Sequence, residues 1–564
     1  VKEADPVVEG TAKFELTLSL VEQRMQFGGG LNFNVDLFDG ESARRIAGHF
    51  QQLLASAIRI DDVPSSLVCL AMMEGEERVL VGETLPAGGG ILVVPGAEDE
   101  PLHALFEASV VAGPDRTAVV TAEESVTYGE LDARANALAW HLRVACGVGP
   151  ESLVGLCVET SVGMLVGMLG IMKAGGAYVP LDPTHPPARS RSIIYDCNAC
   201  TIVHGVECAV ETGINCSSVV ILDDGTNSFT KSKTLVDIPN GMHSCYAIFT
   251  SGTTGKPKGV VLEHRCARAM ALAAVLGAIP LKSSDVFLQM YNYIFDGSVW
   301  NIWLTLASGA TLALFPQDTL LENTQQVLVG SGATVVCGTA SQLSLIDPTD
   351  AGKLCIGMQG GEQLPPALMK IWSACCRLNM FNVYGPTEAA VVSVLAKTLP
   401  TMKRDHSIGR PMPFMKSYVH AKNTRNTCPF AVPGELCISG GQVGRGYLER
   451  GKETSIAFGF GHSLARQYRT GDLCRWLPDG TLEFLGRIDQ QIKLRGFRIE
   501  LGEVESVVTG CVGVAQCVVV VRKLNGQAAL VAYIVSSSAT QTDVRTHCTT
   551  HLPAYMVPSA FVSL

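Results

Sequence analysis

Tyr246-Ala-Ile-Phe-Thr250-Ser251-Gly252-Thr253-Thr254-Gly255-Lys256-Pro257-Lys258-Gly259-Val260 is an apolar run that breaks into a loop of glycines, hydroxyls and two lysines. A strand feeding such a loop offers backbone N–H groups and cations to a polyphosphate. The spacing is not that of a Walker A loop, whose two glycines stand further apart than Gly252 and Gly255 do here.

Around this loop, short β-branched runs alternate with helical patterns, at residues 153–158, 162–173, 218–222, 311–315 and 333–337. That rhythm predicts an α/β fold with largely parallel sheets over residues 102–488. Gly88, Gly89 and Gly90, followed by a stretch of prolines and acidic residues, interrupt the periodicity and mark residues 88–101 as a linker. Ahead of it, residues 1–87 carry strand patterns at 14–20 and 31–35 and a helix pattern at 41–58 with Ile46, Phe50, Leu53 and Leu54 on one face. Residues 489–564 read as a small α+β unit, with a helix near 500–509 and strands at 517–522 and 530–535.

Three further segments carry chemistry. Asn382-Val383-Tyr384-Gly385-Pro386-Thr387-Glu388 combines an aromatic ring, a turn and a carboxylate. Tyr468-Arg469-Thr470-Gly471-Asp472 ends on a carboxylate with two acceptor oxygens. Gly486-Arg487-Ile-Asp489-Gln-Gln491-Ile-Lys493-Leu-Arg495-Gly496-Phe-Arg498-Ile-Glu500-Leu-Gly502-Glu503-Val-Glu505 is dense in charge. Together with the 246–260 loop they resemble, in order, the signatures of the adenylate-forming superfamily, which includes acyl-CoA synthetases, luciferases and the adenylation domains of nonribosomal peptide synthetases. Val126-Thr127-Tyr128-Gly129-Glu130-Leu131, the stretch from Met172 to Pro183 and Gly434-Glu435-Leu436-Cys437-Ile438 are similar to that family's structural motifs.

The resemblance implies a large core domain and a small C-terminal lid, with ATP and Mg²⁺ as cofactors. Thr250, Ser251, Gly252, Thr253, Thr254, Gly255 and Lys258 would cradle the phosphates, and Lys258 would also act in catalysis with Thr387 and Glu388. Tyr384 would stack on adenine beside Gly385, Asn382 would meet the adenine edge, Thr387 would lie near the α-phosphate and Glu388 would hold the metal. Asp472 and Arg487 would bind ribose, and Asp489 would be the hinge about which the lid turns. Cations and donors of this kind act where charge grows on the α-phosphoryl oxygens.

Phe295-Asp296-Gly297-Ser298-Val299-Trp300 resembles the segment that sets the peptide-synthetase branch apart, in which the aspartate pairs with the substrate's α-ammonium. A buried carboxylate calls for such a cation. By the same resemblance the substrate pocket contains Asp296, Gly297, Trp300, Cys337, Gly357, Gln359, Val383, Val391 and Val392. With no charge beyond Asp296, this lining suits a neutral side chain of hydrophobic, aromatic or amide type. The implied partners are an amino acid, a carrier domain bearing phosphopantetheine and a condensation domain. Segments 13–18 and 31–38 are similar to the end of a condensation domain, without its paired-histidine motif.

The chain begins at Val1 and ends at Leu564, before the lysine that closes the family pattern, so the expectation is an excised segment with a slowed adenylation step. Rival readings are an acyl- or aryl-CoA ligase, an aminoadipate-reductase-type adenylation domain, or a binding fragment with weak catalysis. Acidic residues outnumber basic ones, 53 to 43, which disfavours nucleic acid as a partner. The longest apolar stretches fall short of the roughly 20 residues of a membrane span. Nineteen cysteines scattered in apolar contexts suit buried thiols in the cytoplasm rather than a disulfide framework, and Cys197 and Cys200 form a lone CxxC without a second pair at zinc spacing.

Overall fold

The computed structural model describes residues 16–23, 26–34, 38–58, 73, 80–84, 99–205, 217–222, 239–252, 256–375, 377–398, 407–422, 424, 426–460, 465–489, 491–494, 496–524 and 527–564. Two large sheets dominate. In the first, the parallel strands Ser244–Thr250, Ala177–Leu181, Leu153–Cys157, Thr201–Gly205 and Ser218–Leu222 are neighbours in that order. Lys258–Glu263 then pairs antiparallel with Ser244–Thr250, so the phosphate-type loop joins two adjacent strands. The second sheet has a parallel centre: Asn379–Tyr384, Ile356–Gln359, Val335–Gly338, Val286–Gln289, Thr311–Ala313 and Thr117–Val120.

Helices pack against both sheets. Val162–Lys173 is apolar all round and is buried at every position but Gly163, as a helix with no polar face must be. Tyr128–Val144 starts with a capping box in which the Thr127 hydroxyl meets the Glu130 backbone and the Glu130 carboxylate reaches back to the Thr127 N–H. The motif at 126–131 is therefore a helix start. These two helices approach closely at Gly170, where a Cβ would sit 2.6 Å from Leu138 Cδ2.

After Tyr384 the architecture changes. Strands Val394–Lys397, Ser407–Pro411, Leu482–Arg487, Arg466–Trp476, Gly434–Gly440 and Met415–His420 pair antiparallel in that order. The second sheet is thus parallel at its centre and antiparallel beyond Tyr384, within the span over which the sequence rhythm predicts largely parallel sheets. Direct antiparallel neighbours need no crossover helix between them, and a period-2 pattern does not reveal a partner's direction.

The C-terminal unit has its own core, built on Ile499, Val504, Val508, Leu530, Ile534 and Val544. A hairpin, Ile492–Leu494 with Phe497–Ile499, leads into helix Leu501–Thr509 and a three-stranded sheet, Val514–Leu524, Gln527–Ser536 and Ala560–Ser563. At the other end of the chain, Leu16–Gln23 and Gln26–Phe33 form an antiparallel hairpin before helix Gly40–Ile58. Residues 1–15 and 35–37, with parts of the condensation-like segments, lie outside the described residues, as do residues 85–98 of the expected linker. No described helix is long and apolar enough to cross a membrane.

Lys173, at the end of helix Val162–Lys173, is 7% exposed and joins three helices through Glu107 and, at 2.8 Å, Asp132. Both carboxylates keep some solvent contact, at 45% and 23% exposure, so their loss of a partner is softened. Replacing Lys173→Met is expected to lower stability by about 1–2 kcal/mol, less than a fully buried pair would lose. Chemical denaturation checks it, through a lower midpoint at unchanged slope.

Candidate functional site

A cavity of about 550 Å³ opens where the two sheets and the lid meet. Its walls come from strand ends and the turns after them. Thr250 and Ser251 end one strand, Val383 and Gly385 end another, and Thr387, Val391 and Val392 follow the second. Cys337 stands on a neighbouring strand, and Asp296, Gly297 and Trp300 come from the first turns of helix Asp296–Ser308. Residues far apart in sequence converge because parallel strands deliver their C-terminal ends to one edge of a sheet.

Asp296 Oδ2 accepts a hydrogen bond from Thr387 Oγ1 at 2.7 Å. Burial pushes its carboxyl above the usual carboxylate range, against the opposing pull of Thr387 and Lys493. One turn on, Trp300 is 1% exposed and its indole N–H has no acceptor among the described residues. Burial holds the Cys337 thiol protonated, pushed up to about 12.

A second, smaller cavity of about 50 Å³ adjoins the first and is lined by Asn382, Val383, Tyr384, Gly385, Phe484 and Lys493. The Tyr384 hydroxyl donates to Asp472 Oδ2, and Arg487 Nη1 donates to Asp472 Oδ1 at 2.9 Å. Both oxygens of Asp472 are therefore engaged. Arg487 also grips Asp489 through Nε at 2.9 Å and through Nη2, which ties the expected hinge residue to the expected ribose ligand. Asn382 donates its side-chain N–H to the Ser407 carbonyl at 3.1 Å.

Glu388 has no exposure at all. Tyr447 donates to it at 2.8 Å, and Arg498 of the lid hairpin lies 3.0 and 3.2 Å from its two oxygens. Burial alone would raise its carboxyl, but the Arg498 charge holds it below the ordinary value. Lys258, an expected phosphate ligand, is not among the lining of either cavity; its Nζ lies 5.1 Å from the centre of the Tyr447 ring, and burial lowers its pKa.

Two expected pocket residues lie elsewhere. Gly357 faces the packed side of its strand, where a Cβ would be 2.6 Å from the Trp372 ring, so it holds room for that indole and stands outside the lining of this cavity. Gln359, fully buried, turns its amide N–H to the Glu362 carbonyl at 2.8 Å and sits outside the cavity lining. Alternation along strand Ile356–Gln359 puts both residues on the same face, away from the cavity that Gly360 and Gly361 line. Thr253, Thr254 and Gly255 lie outside the described residues.

The lid supplies wall residues that sequence reading assigned no role. Phe497 stacks on Tyr555, with ring centres 3.9 Å apart, and meets Phe295 edge-on. Arg189 of the core pairs with Glu503 of the lid at 2.9 Å, and the Gly252 N–H donates to Glu503 at 3.3 Å. Arg189 and Glu503 are 314 positions apart, beyond the reach of any local pattern. The one available signal was the density of charge immediately after Asp489.

The AMP-binding enzyme family matches residues 106–448, and the AMP-binding enzyme C-terminal domain matches 503–564. Malpinin synthetase of Mortierella alpina is 36% identical over 98% of this chain and 8% of its own length. Tyrocidine synthase 3 of Brevibacillus parabrevis is 35% identical over 98% of this chain and 9% of its own. The chain thus spans about a tenth of the curated relatives it matches. A four-domain nonribosomal peptide synthetase solved with AMP and glycine superposes at a TM-score of 0.72, with 27% identity over 98% of this chain and 41% of that one. An artificially fused adenylation–PCP di-domain from Klebsiella oxytoca shares the fold at a TM-score of 0.74 and 23% identity, over 82% of this chain and 93% of that one. Family match, relatives and site geometry converge: the chain belongs to the AMP-binding enzyme family, as an adenylation domain of the nonribosomal peptide synthetase kind.

Proposed function

We propose that this domain activates a neutral amino acid as its aminoacyl-adenylate, releasing pyrophosphate, and passes the acyl group to the phosphopantetheine thiol of a carrier domain as AMP leaves. The observation that carries the reading is Asp296: a desolvated carboxylate on the cavity wall beside Trp300, Cys337 and Val383, 2.7 Å from the Thr387 hydroxyl. An α-ammonium docked on Asp296 offsets the cost of burying that charge and places the substrate carboxylate toward Thr387. There the carboxylate oxygen bonds to the α-phosphorus as the bond from that phosphorus to the bridging oxygen of pyrophosphate breaks.

Each group of this chain has a part in that step. Asp296 orients the amine, Thr387 donates to oxygens at the reacting centre, and Ser251 and Gly252 present donors to the polyphosphate. Tyr384 flanks the base, while Asp472, held by Arg487, accepts from the ribose hydroxyls. The fit of a magnesium ion is supported by Glu388, whose buried carboxylate takes a cation as its partner. Among the described residues no three His, Cys, Asp or Glu side chains form a metal cage. That suits magnesium, which commonly binds through one or two carboxylates and the phosphates of its substrate. Bound there, the ion neutralises charge growing on the phosphoryl oxygens.

The chamber lining of Trp300, Cys337, Val383, Val391 and Val392 favours an apolar, aromatic or amide side chain, and the unpaired Trp300 N–H suits one with an acceptor. The hairpin and helix within residues 16–58 fit the end of a condensation domain, and the free cysteines among the described residues fit a reducing compartment such as the cytoplasm.

The test is amino-acid-dependent exchange of labelled pyrophosphate into ATP, run across the standard amino acids and a set of fatty and aryl acids. Exchange with a neutral amino acid is the expected result, and exchange with an aryl or fatty acid alone defeats the reading. Asp296→Asn is expected to weaken amino-acid binding by about 2–4 kcal/mol, about 30- to 1,000-fold, measured by calorimetry.

Binding should also depend on pH. Asp296 has a raised pKa in the free domain, and the docked ammonium requires its ionised form. Affinity for the amino acid therefore falls as pH drops through the raised carboxyl range, because binding then costs a proton. Titrations at several pH values should show this slope in the parent chain, and Asp296→Asn should lack it.

A further inference from the structure

We propose that Tyr447 is a positioning residue for the cation end of this site: its hydroxyl fixes one oxygen of Glu388 and its ring face seats the Lys258 ammonium, so a single side chain sets two groups against the polyphosphate. This rests on the adenylation reading above.

The backbone brings Tyr447 to both groups. Its short strand, Gly446–Tyr447, pairs antiparallel with Lys258–Glu263, with Val260 opposite Tyr447 and Val261 opposite Gly446. The Arg445 N–H donates to the Val261 carbonyl at 3.0 Å, and the Leu448 N–H donates to the Gly259 carbonyl at 2.8 Å. These bonds lock the segment along the strand that returns from the phosphate-type loop. In the other direction, the Gly444 N–H donates to the Glu388 carbonyl at 2.9 Å. Residues 444–448 therefore brace the loop of the first sheet against the turn that carries Glu388 beyond the second.

Tyr447 itself is buried, with its ring edge-on to Phe458 at 5.4 Å between centres. Its hydroxyl donates to Glu388 Oε1 at 2.8 Å. Arg498 lies 3.2 Å from that oxygen and 3.0 Å from Oε2, so Oε1 takes two donors while Oε2 takes the guanidinium alone among the described residues. A carboxylate with one oxygen tied to a neutral donor cannot swing without losing that bond, and its other oxygen keeps one direction. Outer partners of this kind orient metal-binding carboxylates and strengthen their hold on the ion. The ring face does the second task. Lys258 Nζ lies 5.1 Å from the ring centre, within the range at which an aromatic face attracts an ammonium, and the side chain is buried there at the start of its strand. Hydroxyl and face act on different partners, so each can be removed by itself.

Calorimetry of ATP binding to the whole chain, with excess magnesium and with the metal chelated, separates the two contacts. The ratio of the two affinities measures how far magnesium tightens the nucleotide. Tyr447→Phe keeps the ring and loses the hydroxyl, and is expected to cut that ratio about tenfold, with metal-free ATP affinity and amino-acid affinity each changed less than about twofold. Tyr447→Leu removes the ring face as well, and is expected to weaken metal-free ATP binding by about threefold in addition. A Glu388→Gln background tests the route: magnesium tightens little there, and adding Tyr447→Phe is expected to change the ratio no further. A ratio unchanged in Tyr447→Phe, losses equal with and without magnesium as a merely structural role would give, or a Tyr447→Phe effect kept in full on Glu388→Gln overturns the inference and leaves the adenylation reading standing. A parent chain that binds no ATP under either condition removes both.

Discussion

A carboxylate sealed from water dictates much of this molecule. Glu388 sits in a tight turn at the end of a central strand, and its charge has to be answered by a cation wherever the lid stands. Tyr447, on the edge of the first sheet beside strand Lys258–Glu263, fixes its orientation, and Arg498 answers its charge from the C-terminal unit. One ionised group thereby links the core sheet, the strand that carries Tyr447 and the lid.

The rest of the site follows from topology. Parallel strands end together, so the loops after Thr250 and Tyr384, which belong to different sheets, open onto one cavity. The antiparallel end contributes differently. It holds Asp472 and Arg487 opposite one another on paired strands, and their ion pair reaches directly to Asp489, where the chain passes to the lid. The proposed ribose ligand and the start of the C-terminal unit are therefore adjacent in structure as well as in sequence.

Much of this was legible in the residues alone. The alternation of short apolar runs and helical patterns marked the α/β core, because period is a local property, and the loop chemistry after Tyr246 pointed to the proposed polyphosphate site. Asp296 and Trp300 could be placed on one face of a helix from spacing, and the cavity receives both. The antiparallel pairing after Tyr384 was not legible, since a strand's pattern carries no record of its partner's direction. Nor were the positions of Gly357 and Gln359, which turn on which face of a buried strand meets Trp372 and which meets the cavity.

By itself the sequence determined the inventory: which loops carry phosphate-type donors, which carboxylates stand beside turns, and where one unit gives way to the next. These are set by neighbours along the chain, whose steric and hydrogen-bonding preferences act over a few residues. Tertiary structure alone decided the pairings. It chose Arg498 as the partner of Glu388, Glu503 as the partner of Gly252 and Arg189, and Tyr384 as a donor to Asp472. A charge or a donor in the sequence declares what it needs, but only the packing of distant elements, which excludes water from the space between them, decides what supplies it.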